Sequence, residues 1–329
     1  MNRKPLPLIF LAFIATFALA MSACGGGGSS SKTATPSTSG DITPLVSSND
    51  TFPVQLPRSD GKTVSLGAAP KHLVSLSPGA TEIIYALGAD SELAAVDKDA
   101  DYPDGAKNFA TKLDAFQPNV ESIVALQPDL VIVATDANGI VAALDRVNVP
   151  VLFSDINTDV RTVNDVMRQI KLIGTATGKS ANADSLIGDL RGRISAVTSK
   201  VQDVSPSDAP SVYHELDDTY YTASSGSFVG DIYRLLKAQN IAGDGGGVAY
   251  PQLTQEAIIA ANPQAIILAD EAFGTTPESV KARPGWANID AVKNGKIFGV
   301  DPNIISRPGP RIVDALEQVA KDLYPEKFS

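Results

Sequence analysis

One pattern occurs twice in this chain. Residues 119–134 read NVESIVALQPDLVIVA, and residues 254–269 read TQEAIIAANPQAIILA. The copies register without a gap, setting Asn119 on Thr254, Glu121 on Glu256, Ile123 on Ile258 and Pro128 on Pro263. In each, a residue able to cap a helix comes first. A Glu follows inside the first turn, where the helix dipole favours negative charge. An apolar face is next, then a proline that ends the helix, then an unbroken apolar run suited to a buried parallel strand. An aromatic stands just upstream of each copy, Phe116 and Tyr250. A solenoid needs more units, closely spaced. Two distant copies point instead to two similar α/β lobes with a cleft between them.

The rest of the chain agrees with that plan. Residues 54–66 alternate around Asp60-Gly61, the pattern of a β-hairpin. Strands are expected at 72–76, 93–96, 130–134 and 151–153, with helices through Ile83, Ile84 and Leu87 and through Val141, Leu144 and Val147. Such alternation predicts a parallel sheet covered on both faces. Residues 163–173 are amphipathic, with Gly174 and Gly178 as interruptions. Residues 181–201 then carry Leu186, Leu190, Ile194 and Val197 on one stripe. A helix of ~20 residues spans roughly 30 Å, long enough to join two lobes. The second lobe takes strands near 212–215, 266–269 and 296–300, a helix through Ile232 and Leu235, and a C-terminal helix through Ile312, Leu316 and Val319.

At 329 residues the chain exceeds what one core usually supports. Its net charge is -10 and its basic residues are not clustered, which excludes a nucleic-acid partner. Arg3 and Lys4 precede an apolar run at 8–20, and Met21-Ser22-Ala23 leads to Cys24, the only cysteine. That is the grammar of a signal peptide, and a lone Cys cannot form an internal disulfide. The segment resembles the lipobox of bacterial lipoproteins, in which the Cys is lipidated and begins the mature chain. The Gly-, Ser- and Thr-rich stretch after it reads as a tether. The organisation expected is a signal peptide at 1–23, a lipidated tether at 24–50, an N-terminal lobe at 51–160, connecting helices at 161–207 and a C-terminal lobe at 208–329.

Catalytic patterns are scarce. The chain has no G-x-S-x-G elbow, no P-loop and no His/Cys spacing for a metal. His72 and His214 both fall in or beside expected strands, where a His is ordinarily structural. Residues 243–247 lack the third glycine of a nucleotide loop and read as a plain loop. Phe116 and Tyr250 lie in loops leading into capped helices, so the cleft is a better place for them than a core. Arg307 and Arg311 open a helix, where positive charge is disfavoured. They are therefore candidates to grip a polar group of a ligand, with a pair of solvated arginines as the plain alternative. Two further readings stay open: an envelope enzyme using Asp101, Glu215 or Asp217 as acid or base, and a structural lipoprotein without a ligand.

Several motifs in this order carry a resemblance: HLVSLSPGATE at 72–82, DYP at 101–103, the two Glu-bearing repeats, AYPQL at 249–253 and RPGPR at 307–311. From about residue 52 to the C-terminus the chain resembles the substrate-binding proteins of ABC importers for cobalamin, haem and iron-siderophores, the cobalamin binders most of all. The resemblance implies two Rossmann-like lobes joined by one long rigid helix, a ligand cleft between them and only modest closure. It implies no catalysis, no metal site and no resident cofactor, cobalamin being cargo. The cargo implied is a corrinoid, with a ferric siderophore or haem as the alternative. It places Pro78, Phe116, Tyr250 and Arg307 at the ligand. It sets Glu121 and Glu256 against a two-fold ABC permease with its ATPase, on the extracytoplasmic face of a membrane to which Cys24 anchors the chain. Two positions depart from that pattern: Asp99 replaces an aromatic, and Asn303 replaces an acidic residue.

Overall fold

The expected hairpin forms from Val54–Pro57 (β1) and Thr63–Leu66 (β2), which pair antiparallel. The structure is a computed structural model describing residues 50–329, all within one compact unit. The signal peptide, Cys24 and the tether up to residue 49 lie outside the described residues. The first α/β lobe follows: Leu73–Leu76 (β3), Pro78–Ala86 (α1), Leu93–Asp97 (β4), Asp104–Lys107 (α2) and Lys112–Leu113 (β5). It continues with Val120–Val124 (α3), Leu130–Val133 (β6), Ile140–Arg146 (α4) and Val151–Phe153 (β7). The strands are parallel in the order β5-β4-β3-β6-β7. Every residue of β3, β6 and β7 is buried, which is why those stretches read as apolar runs. Alternate residues of β6 serve opposite faces. Leu130 and Ile132 join a core with Ile83 and Ile84, whereas Val131 and Val133 join one with Ile123 and Leu144.

Two helices come next, Val163–Ala176 (α5) and Ser180–Lys200 (α6). The second lobe comprises Ser211–Glu215 (β8), Phe228–Leu235 (α7), Gln239–Asn240 (β9), Gln255–Ala261 (α8) and Ala265–Leu268 (β10). After these come Pro277–Lys281 (α9), Asp290–Lys293 (α10), Ile297–Gly299 (β11), Pro302–Ile305 (α11) and Ile312–Leu323 (α12). Its sheet is parallel in the order β11-β10-β8-β9. The repeats behave as their grammar requires. Asn119 accepts from the Ser122 N–H at 2.9 Å, Thr254 from the Ala257 N–H at 3.2 Å, and Ile123 and Ile258 are fully buried. The edge strands β5 and β9 were not expected, because two residues are too few for an alternating pattern to register.

The long helix α6 touches both lobes. Asn182 donates to the Leu87 carbonyl at 2.8 Å, and Arg193 reaches Glu317 of α12 at 2.8 Å. Helix α5 runs beside it and shares the connection, packing on α1 and on α7, where Asp231 accepts from the Val163 N–H at 2.9 Å. Gly174 does not interrupt α5, contrary to expectation. A mid-helix glycine costs only about 1 kcal/mol, and here it permits close packing. A side chain at 174 meets the Ala183 methyl of α6 at 2.5 Å. Val147, placed on the apolar face of α4, instead ends that helix and is 47% exposed.

Candidate functional site

In open parallel sheets a ligand site forms beyond the carboxyl ends of the strands, where the strand order reverses. Here the reversal lies between β3 and β6 in one sheet and between β8 and β10 in the other. The loops at those ends meet. Ser77 caps α1 by accepting from the Ala80 N–H, and Pro78 and Gly79 begin the helix. A Cβ on Gly79 would stand 3.0 Å from the Pro308 carbonyl oxygen, so a larger residue there would push the lobes slightly apart. A small cavity behind this contact, lined by Ser77, Ala80, Ile132, Ile156 and Pro308, holds about 20 Å³. That is space for one water, too little for an organic ligand.

Charged contacts tie the two sets of loops together. The Arg311 guanidinium grips Glu82 of α1 with both arms, at 2.9 and 2.6 Å, and lies 4.1 Å over the Tyr102 ring. Glu82 is only 3% exposed. Arg307 donates to Asp101 and to the Asp99 carbonyl, and sits 3.7 Å from Glu82. Asn303 donates to the second Asp101 oxygen at 2.9 Å. The two arginines are therefore neither solvated nor open to a ligand; each holds a carboxylate of the opposite lobe. Sequence spacing could not show this, because the partners stand more than 200 residues apart.

Exposed apolar side chains also gather at the carboxyl ends of the strands. Among the described residues, seven large hydrophobic side chains are exposed, and five of them follow strand carboxyl ends: Tyr102, Phe116, Tyr221, Val248 and Phe273. All five stand at the end of the sheets where a ligand site forms in open parallel α/β folds. Phe116 is 67% exposed, on a turn in which Asp114 accepts from the Phe116 and Gln117 N–H groups. Tyr250 behaves differently from expectation. It is half-buried against the core, and burial pushes its hydroxyl up to about 12. Tyr102, Tyr221, Val248 and Phe273 were missed. Their signal was an apolar residue in a loop just past an apolar run, a pattern too common to single out.

The residues considered for catalysis are otherwise engaged. Glu215 is fully buried and paired with both arms of Arg283 at 2.6 Å, while Arg283 stacks 4.6 Å over Trp286. Burial raises the Glu215 pKa, and the Arg283 hydrogen bonds offset part of that rise. Asp217 accepts from the Thr219 N–H in a turn, and Asp101 is held by Arg307 and Asn303. His214 is buried against the Tyr233 hydroxyl at 2.7 Å, and burial drops its pKa to about 3. His72 is exposed, 3.3 Å from the Gln127 carbonyl. Glu121 and Glu256 are exposed in the first turns of α3 and α8. A helix returning to the start of the next parallel strand has its N-terminus at the groove end. The two carboxylates therefore stand near the rims of the two lobes.

Residues 73–304 match a family model described as periplasmic binding protein. Over 287 residues the chain is 32% identical to an uncharacterized ABC transporter substrate-binding lipoprotein of Bacillus subtilis, covering 85% of this chain and 88% of that one. It is 30% identical over 281 residues to a cobalamin-binding protein of Halobacterium salinarum, covering 83% and 74%. Its fold superposes on the periplasmic vitamin B12 binding protein of Vibrio cholerae with a TM-score of 0.67 and 25% identity, covering 79% of this chain and 99% of that one.

Proposed function

The chain belongs to the periplasmic binding protein family, and from that premise we propose that it is the substrate-binding component of an ABC importer whose cargo is a corrinoid. The observation that carries this reading is the set of five exposed apolar side chains on the loops at the strand ends of both sheets. A flat macrocycle offers two apolar faces to such a lining and amide edges to the polar rim. Pro78 and Phe116 lie on the first lobe's share of that groove, and Tyr250 on the second's. Arg307 serves the rim in company with Asp101 rather than alone. The protein binds its cargo and does not transform it, a reading supported by Asp101, Glu215 and Asp217, the three carboxylates considered for acid–base work, each being held in an ion pair or a turn. Delivery is to a two-fold permease with its ATPase, and the chain works outside the cytoplasm, anchored through Cys24.

Calorimetry with cyanocobalamin tests the assignment. Phe116→Ala is the cleaner probe, because its side chain is mostly exposed and its loss leaves the core untouched. It should weaken binding by about 1–3 kcal/mol, the value of one apolar side chain buried by the ligand. Tyr250→Ala should lose a similar amount together with some stability. Wild-type protein that ignores the corrinoid overturns the reading. Intact binding in the Phe116 variant removes that residue from the groove.

A further inference from the structure

The cations nearest the groove are all matched by carboxylates or carbonyls. Arg311 is held by Glu82, Arg283 by Glu215, and Lys98, at the end of β4, by Asp114 at 2.8 Å. Arg161, at the link between the lobes, donates to the Gly226 carbonyl at 3.2 Å. Arg307 is the revealing case. Its nearest buried carboxylate, Glu82, already receives both arms of Arg311. What neutralises Arg307 is Asp101, a side chain 41% exposed on the loop past β4 and hydrogen-bonded a second time by Asn303. The same loop carries the exposed Asp99, and other loops at the strand ends add the exposed acids Asp136 and Asp301. The groove thus offers apolar surface and an acidic rim, and its one well-placed arginine is already satisfied.

We infer that Asp101 sets the charge specificity of the groove: by neutralising Arg307 it favours neutral or cationic macrocycles and disfavours those whose rim carries carboxylates. This rests on the apolar groove being the ligand site. An unpartnered Arg307 is a planar fork matched to a carboxylate. With Asp101 in place, an incoming carboxylate must displace a like charge to reach that fork. Without the Asp101 charge, one arm of the fork is released while the other stays on the Asp99 carbonyl, and Asn303 adds a second donor. Asp101 is therefore a specificity residue that acts through Arg307.

The test separates charge from shape by using one ring in two charge states. Iron(III) protoporphyrin IX carries two carboxylates, and its dimethyl ester carries none. Both are titrated by fluorescence quenching into the wild type, Asp101→Asn and Asp101→Ala, beside cyanocobalamin, and thermal unfolding confirms that each variant is folded. The wild type should bind the ester more tightly than the diacid. In both variants the preference should shift toward the diacid by about tenfold, the scale of one charge-assisted hydrogen bond, and added salt should erode the gain. An unchanged ester-to-diacid ratio overturns the inference, and so does failure of every variant to bind either porphyrin. Loss of cyanocobalamin binding with the ratio shift intact instead overturns the corrinoid reading and leaves the role of Asp101 standing.

Discussion

Glu82 shows how a single side chain links the two lobes. It sits on α1 at 3% exposure, and its charge is met by Arg311 from the far end of the chain. Removing one member of a buried pair leaves the other uncompensated, a loss on the order of 3 kcal/mol. Glu82→Gln should therefore lower the urea midpoint by a corresponding amount, and a loss below ~1 kcal/mol shows that the pair is not structural. Asp322 gives the opposite case. It lies in the last turn of α12, where the dipole disfavours negative charge, and burial raises its pKa to about 6. Its folded pKa exceeds the unfolded one, so its favourable contribution is complete below about pH 4 and disappears as pH rises through 6. Asp322→Asn should then stabilise the protein at pH 7 by about 1 kcal/mol, allowing for its partial exposure, and do little at pH 4. His214 acts in the other direction, since its depressed pKa removes stability as pH falls from about 6.5 toward 3. Both proteins contain it, so the difference between them isolates Asp322. Equal gains at both pH values defeat the assignment.

At the scale of elements, the two short capped helices are the places to look for a partner. α3 and α8 each carry one exposed Glu in the first turn, on equivalent positions of the two lobes. A dipole role alone is worth ~0.3–1 kcal/mol of stability and leaves transport intact. A docking role makes a different forecast, because like charges opposed across an interface oppose association. The double variant Glu121→Arg/Glu256→Arg should keep ligand affinity within about twofold, since neither residue lies in the apolar lining, and lose uptake through its permease. Wild-type uptake by that variant confines both residues to their helix dipoles.

For the whole molecule, the arrangement of connections matters more than any one helix. α5 and α6 both touch both lobes, and the Gly79–Pro308 approach with the Arg307 and Arg311 pairs adds a third tie. The two lobes are thus joined at three places. Localisation is the other property of the whole chain. Cys24→Ala should move the protein from the membrane to the soluble fraction and abolish fatty-acid labelling. Unaltered fractionation and labelling reject the anchor.

How much of this was legible in the sequence follows from the range of the forces involved. Local rules were sufficient for the caps at Asn119 and Thr254, the buried runs of β3, β6 and β10, the hairpin at Asp60-Gly61 and the long helix α6. Each depends on neighbours a few residues apart: a side chain meeting an N–H three positions on, or an apolar run long enough for one strand. The duplicated unit carried the two-lobe plan for the same reason. The two-residue strands β5 and β9 were invisible, because only their pairing to β4 and β8 makes them strands. The residues expected at the site differ in how the fold presents them. Phe116 is presented to solvent as expected, but Tyr250 leans into the core, and no local rule distinguishes two aromatics in equivalent loops. Both Arg307 and Arg311 are expected from the sequence at a helix start, but only Arg311 stands there, as the N-cap of α12, whereas Arg307 lies in the loop after α11. That they hold Asp101 and Glu82 was decided only when folding brought residues about two hundred positions apart into contact, where desolvation makes pairing obligatory.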